Sequence, residues 1–369
     1  MTDVTLRATK GSPLTHTEMD NNQIATRSGR KNMVIGGNFS TNPWQRGTSF
    51  TAVASGEYTA DRFLHRNHNS GTGVVTHVRS NEAPSVAQVG FKTSQCLRVD
   101  VTTADATIAA NHHYDTRTTM EGYDYAQIAQ NDFVLSFWHK HTKAGTYCVA
   151  FINVGGDRSY VAEYTQSVSE TWEKATIKVT ASPSAGTWDY TTGRGLRIAF
   201  SMGSGTDYHT TADAWQAGNF RSTVNQVNAM DSTSNFMRFN LIQIEEGIEA
   251  TDFERRPVAE ELNLCRRYFD KSYNQDITPG TSNLVGIEAF RATSTTDIHM
   301  MTFSPLRTTP TVVLYNPITG VVGTWRDEGA GVDRTVGVHS LGARNVSVAI
   351  FSSVDANEMR GHWTVDAEL

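Results

Sequence analysis

The chain has 369 residues, with 32 Lys and Arg against 38 Asp and Glu, a formal net charge of -6 and 38% hydrophobic residues. That length supports a large core and two or three domains, and the mild negative charge removes the global basic field that nucleic-acid binding draws on, so no nucleic-acid partner is expected. No apolar run reaches the ~18 residues of a membrane span, so no membrane insertion is expected. The N-terminus lacks a signal-peptide layout, and Cys96, Cys148 and Cys265 lie too far apart for a disulfide framework or a zinc site. The expectation is a protein made in the cytoplasm without Sec-type targeting, its cysteines serving as small core residues.

In chain order, residues 1–31 are polar and carry one helix-start signal. Thr15 and Glu18 are spaced as a capping box, and Leu14 and Met19 as a hydrophobic staple, predicting a short helix from about His16 to Thr26. The other reading is a frayed N-terminal arm. From Met33 to Arg256 apolar residues alternate at period two. Leu97, Val99 and Val101, then Phe133, Leu135 and Phe137, then Ala175, Ile177 and Val179, then Leu196, Ile198, Phe200 and Met202, then Met237, Phe239 and Leu241 each predict a strand with one face on a core. TYCVAFINV is apolar on both faces and predicts a covered central strand. Thr103 to Tyr123 is open between a long loop and an edge excursion. Short strands joined by Gly- and Ser-rich connectors predict a β-sandwich or jelly roll.

Pro257, with Glu260 and Glu261 in the first turn and Arg266, Arg267 and Lys271 in the last, predicts a connector helix over 257–273. Its stripe of Val258, Leu262, Cys265, Tyr268 and Phe269 suits docking either on its own domain or on symmetry mates. Beyond it, Ile298 and Met300, Val312 and Leu314, and Val346, Val348 and Ile350 alternate again, with turns at Asn316-Pro317, Thr319-Gly320 and Gly342. They predict a smaller C-terminal sandwich. The fold class is therefore all-β: a jelly-roll sandwich over 32–256, a short connector helix over 257–273 and a smaller β-sandwich over 274–369, preceded by the N-terminal segment 1–31.

Several strings carry a resemblance. GGNF (Gly36 to Phe39), PWQRGTSF (Pro43 to Phe50) and YTADRF (Tyr58 to Phe63) open the domain, and QIEEG and ATDFERRP close it. Together they resemble the jelly-roll domain of tail-fibre and tail structural proteins of tailed bacteriophages, which is built like a carbohydrate-binding module. PLTHTEMDNN resembles the N-terminal element of many phage tail proteins. SPLRTTPTVVLYNPITG and HWTVDAEL resemble the distal domain of the same proteins. The resemblance implies a virion protein and a homotrimer. It also implies attachment to other tail proteins through the N-terminal element holding Leu14, Thr15, Glu18 and Met19, and it places Trp172 as a structural residue before an inner strand.

For chemistry, Glu245 and Glu246 are adjacent on a strand and point to opposite faces, so they cannot flank one glycosidic bond. Asp61, Asp100, Asp157 and Asp252 show no informative spacing, and GxSxG, P-loop, GxGxxG and HExxH motifs are absent. No catalytic residues and no cofactor are expected. His139 and His141 share a strand face and form an HxH of the kind that fibre tips use for iron; a solvated polar face is the plainer reading, and His112-His113 are adjacent. Trp138, Trp172, Trp188, Tyr190, Tyr208, Trp215 and Trp325 read as lying in or beside turns, where sugar rings stack on aromatics, although a sandwich core needs aromatics too. Trp188, Tyr190, Tyr208 and Trp215, in the connectors around 184–220, are the expected glycan site. Asp61, Arg62 and Arg46 are expected to pair or to cap turns. The functional expectation is a tail fibre or receptor-binding adhesin on bacterial surface polysaccharide. The alternative is a non-adhesive tail, collar or head-decoration subunit, and a depolymerase is disfavoured for want of a carboxylate pair.

Overall fold

The computed structural model describes residues 12, 13, 15, 31–293, 296–351 and 357–369. The helix expected from His16 to Thr26, with Leu14, Glu18 and Met19, lies outside these residues, whereas Thr15 is described and exposed. No described helix is long and apolar enough to cross a membrane.

Two six-stranded antiparallel sheets make the first sandwich. The first sheet runs β1 (Ser49–Phe50), β3 (Val74–Ser80), β4 (Cys96–Thr103), β12 (Phe236–Glu246), β6 (Phe133–His141), β9 (Glu173–Val179). The second runs β11 (Trp215–Gln216), β8 (Ser159–Gln166), β7 (Gly145–Ile152), β10 (Arg194–Ser204), β5 (His113–Glu121), β2 (Phe63–His68). The chain passes repeatedly between the sheets, as a jelly roll does, and the alternating apolar residues of both inner faces form one core. β7, apolar on both sides, lies between β8 and β10. Its outward Cys148, Ala150 and Ile152 are covered in a cluster with Phe220. All three cysteines are buried and free.

Three readings change. Thr103 to Tyr123 contains β5, an interior strand buried along its whole length. Its polar sequence HYDTRTTME hid it, because the charges on its outer side pair with each other instead of facing water. In β12, Met237 and Phe239 face the core, but the ladder to β6 slips between Asn240 and Gln243, and Leu241 takes φ 52°. That bulge reverses the parity, so Ile242 and Ile244 enter the core in place of Leu241. His139 and His141 are likewise core residues, 1% and 0% exposed.

The opening motifs build one corner of the core. Phe39 and Phe63 rings lie 4.9 Å apart, and Trp44 donates its indole N–H to Phe39 O at 3.0 Å. Glycine is required at the front of GGNF. Gly36 has φ +76°, and a Cβ on Gly37 would sit 2.3 Å from Ile242 O, so the pair lets the chain press onto β12.

The connector helix α3, Val258–Arg266, is preceded by two short ones, α1 (Val86–Val89) and α2 (Gly122–Tyr125). α3 is shorter than expected, with Pro257 as its N-cap residue. Phe269–Lys271 leaves the helical stripe and forms β13, because its backbone pairs with the strand β20 (Glu358–Asp366). Sheet hydrogen bonds from distant residues override the local pattern here. Cys265 and Tyr268 pack on Ile35, so the helix docks on its own sandwich, while Val258 is exposed.

The C-terminal strands are β14 (Glu288–Arg291), β15 (Thr296–Thr302), β16 (Thr311–Tyr315), β17 (Thr324–Asp327), β18 (Val332–Leu341), β19 (Asn345–Phe351) and β20. With β13 they form one eight-stranded sheet. β20 is its spine, pairing with β14 and β17 along its first half and with β13 and β16 along its second. The sheet curls over its own core of Trp325, Trp363, Val346, Val348 and Ile350. Its ends meet where Phe290 on β14 stacks on His299 on β15 at 4.4 Å. Ile298 and Met300 alternate as expected but stand on the outer side, 56% and 62% exposed.

Candidate functional site

The outward face of the first sheet carries a groove. Because Phe133, Leu135, Phe137, His139 and His141 of β6 turn inward, Ser136 and Trp138 turn outward. Across the ladder, Trp138 faces Lys174 of β9 and Asn240 of β12, and the β12 bulge brings Leu241 into the same floor. One wall is α1 with Gly90 and Phe91. A Ser85–Gln88 capping box starts that short helix, and Gly90 in the left-handed region ends it. The other wall is the segment Asp252 to Arg255. Glu245 anchors it, accepting from Thr251 N at 2.8 Å and Thr251 Oγ1 at 2.7 Å, while Gln243 Oε1 accepts from Glu254 N at 2.8 Å. Glu245 is thus a buried anchor while Glu246 is exposed, as opposite strand faces require.

Phe91 and Phe253 stack at 6.4 Å, and the Arg255 guanidinium lies 5.3 Å above the Phe91 ring. The space between the walls measures about 720 Å³, within the range of ligand pockets, about 300–1,000 Å³. Its lining combines aromatic faces with Lys31, Lys174 and Arg255 as donors and Asp252 and Glu254 as acceptors. That combination suits a polyhydroxylated ligand, whose C–H faces stack on rings while its hydroxyls meet donors and acceptors.

Of the aromatics expected to bind glycan, three come together and one does not. Trp188 stacks on Tyr125 at 5.4 Å and meets Trp215 edge-on at 5.7 Å, and Tyr190 stacks on the same Tyr125 at 6.1 Å. Both indole N–H groups are committed to backbone, Trp188 to Ala185 O at 3.1 Å and Trp215 to Thr180 O at 2.8 Å. Both rings also pack half-buried against the core, leaving Tyr190 as the exposed member. Tyr208 lies elsewhere, its ring 4.6 Å from His113 and 5.7 Å from His68. Two other aromatics are not in turns at all. Trp325 is in β17 and fully buried, and Trp138 is in the middle of β6. Phe253 and Arg255 lie in the ATDFERRP string, but neither they nor Phe91 carry a binding signal in the sequence, since the groove joins connectors more than 150 residues apart in the chain.

The HxH pair is sealed between the sheets. His139 Nδ1 lies 3.0 Å from Gln166 Oε1 and His141 Nε2 lies 3.1 Å from Tyr164 OH. Burial pushes His139 down to about 4 and His141 further below its usual value, so both are neutral. The expectation of a solvated polar face is therefore corrected: with partners at hand, the ring tolerates a core position. Among the described residues no group of three or more His, Cys, Asp or Glu is placed to hold a metal ion.

Asp61, Arg62 and Arg46 do pair, and with distant partners. Asp61 accepts from Gln45 N at 2.8 Å and Gln45 Nε2 at 3.0 Å. Arg62 binds Glu368 and lies 3.4 Å over the Tyr268 ring. Arg46 reaches Asp366 at 2.9 Å and Glu368 at 3.4 Å while covering the Phe269 ring at 3.8 Å. These charges join the sandwich to the last strand of the C-terminal sheet.

No protein-family model and no curated protein matches the chain. Among solved structures, the chain is similar to the enzymatically active domain of bacteriophage CBA120 tailspike protein 4, at 11% identity over 58% of this chain with a TM-score of 0.29. The chain spans only 21% of that tailspike chain. It is similar to the family 11 carbohydrate-binding module of the Clostridium thermocellum cellulase Lic26A-Cel5E, at 12% identity, 55% of this chain, 98% of that chain and a TM-score of 0.28. It is also similar to the CBM22-1 xylan-binding domain of Paenibacillus barcinonensis Xyn10C, at 13% identity, 56% of this chain, 99% of that chain and a TM-score of 0.26.

Proposed function

We propose that this protein is a virion component of a tailed bacteriophage, a tail fibre or receptor-binding adhesin that binds bacterial surface polysaccharide in the groove on its first sheet. The observation that carries the binding half is the groove itself: about 720 Å³ floored by Trp138, bridged by the Phe91–Phe253 stack and ringed by charges of both signs. The virion half rests on the opening and closing motifs of the sandwich and on the N-terminal PLTHTEMDNN string. In this reading the protein binds without catalysis, attaches through its N-terminal segment and works as a homotrimer. Three weak glycan sites acting together raise avidity by orders of magnitude.

The test is adsorption of the purified protein to host cells and to a glycan array. Trp138→Ala and Phe253→Ala are expected to weaken binding about tenfold or more, since a lost stacking surface with its buried area is worth over ~1.4 kcal/mol. Undiminished adsorption by a folded Trp138→Ala variant excludes the groove. Particles that carry the protein at an internal joint by immunogold labelling, with no adsorption by the free protein, would make it a structural subunit instead.

A further inference from the structure

The outer face of the second sheet holds a cluster that the groove does not use. Arg66 of β2 stands opposite Asp115 of β5, Arg117 is two residues further along β5, and Arg197 of β10 is opposite Thr119 on the same face. Arg221 approaches from the connector after β11. Asp115 is fully buried, and its carboxylate takes a two-pronged contact from Arg117, Nε at 2.6 Å and Nη2 at 2.8 Å. Arg221 Nε is 3.7 Å from Oδ2 of that carboxylate and has no hydrogen-bond partner, although the residue is only 2% exposed and its Nη1 donates to Phe220 O at 3.1 Å. Among the described residues, Asp115 is the one carboxylate within ion-pair distance of any of these four guanidiniums. The chain as a whole is acidic, so this concentration of positive charge is a local construction.

Buried charges are normally matched, and arginine stays protonated in proteins. Burial, with Arg117 and Arg197 close by, brings the Arg221 guanidinium down to about 9. Burial with Arg117 and Arg194 beside it brings Arg197 to about 10. Both shifts describe a cluster short of negative charge. Next to it lies an aromatic shelf: His68 and His113 stack at 4.8 Å, Tyr208 meets both edge-on, and Arg66 Nη2 lies 3.2 Å from His68 Nδ1. Arg66, His68, Arg197 and Tyr208 keep part of their surface in solvent, forming a rim over the buried Arg117 and Arg221.

We propose that this face is a second ligand site, which takes the oxyanion of an acidic sugar, a carboxylate or a phosphate ester, on its arginines and the sugar ring on Tyr208. Guanidinium forks match either oxyanion, and the site does not depend on the groove. The experiment is isothermal titration of the full chain with sodium glucuronate and, separately, with inorganic phosphate, at ionic strength matched with sodium chloride. Arg66→Gln and Tyr208→Ala are used because both side chains are half-buried, and thermal unfolding checks that each variant folds. Saturable glucuronate binding, weakened about tenfold by each variant, assigns a sugar carboxylate. Saturable phosphate binding weakened by Arg66→Gln alone assigns a phosphate ester. No saturable response to either anion, or a response unchanged in both variants, overturns the proposal. Trp138→Ala leaves these titrations unchanged, so failure of the groove and failure of this site are told apart.

Discussion

At the scale of single residues, tryptophan shows how little identity says about role. Trp325 and Trp138 both sit in strands, yet one is 0% exposed in the C-terminal core and the other lines an open groove. Trp325→Ala should lower stability by about 3–5 kcal/mol, the usual result of emptying a large core position. Trp138→Ala should change it by less than about 1 kcal/mol. Urea midpoints of the two variants measure the contrast, and equal losses would show that Trp138 serves packing. For β6 the inward run Phe133, Leu135 and Phe137 turns its alternate residues outward, yet the sequence sets Trp138 in or beside a turn, and it is the ladders to β9 and β12 that keep it in the strand. For Trp325 the polar neighbours Thr324, Arg326 and Asp327 masked the core position, because Asp327 is itself buried with Arg334 at 3.1 Å.

At the scale of elements, the strand pairs carry histidines into the interior. Burial holds His65 on β2 and His139 on β6 at about 4. Their folded values lie below the unfolded value near 6.5, so the unfolded chain binds more protons between about pH 4 and 6.5. The stability associated with neutral histidine is complete above pH 6.5 and is lost as pH falls toward 4, by about 3 kcal/mol for each of the two. Urea midpoints measured from pH 7 to 5 should therefore fall, in a window where most carboxylates stay ionised, and His139→Asn should flatten the slope. A flat profile in the parent protein would contradict the burial. The same scale explains the missed elements. β5 is polar in sequence and interior in the fold, and β13 follows a helical stripe yet pairs with β20, because each is stabilised by partners that local periodicity does not contain.

At the scale of the whole molecule, the sandwich and the curled sheet are joined by buried charge. Arg62 and Glu368 are 2% and 4% exposed at that junction. Arg307 adds backbone contacts across it, Nη1 to Thr192 O at 2.7 Å and Nη2 to Glu368 O at 2.6 Å. Arg62→Met leaves the buried Glu368 with only Arg46, at 3.4 Å, to balance it and should cost about 2–3 kcal/mol, whereas adding Glu368→Leu should restore most of it. Chemical denaturation of the single and double variants checks this. A single variant as stable as the parent would mean that the junction is relaxed and the two parts are weakly coupled.

By itself the sequence determined the all-β class, most strand positions, the buried unpaired cysteines and the structural role of the Asp61, Arg62 and Arg46 motif charges. These follow from period-two alternation and turn chemistry, which are local. Only the tertiary structure decided that the HxH lies in the core, that the connector helix ends at Arg266 and that Tyr208 stands apart from Trp188, Tyr190 and Trp215. It alone placed Phe91, Trp138 and Phe253 around one groove and gathered four arginines on one sheet face, two of them within ion-pair distance of Asp115. The physical reason is the same in each case: a sandwich brings together strands and loops from remote parts of the chain, and neither burial nor charge pairing between them leaves a trace in local spacing.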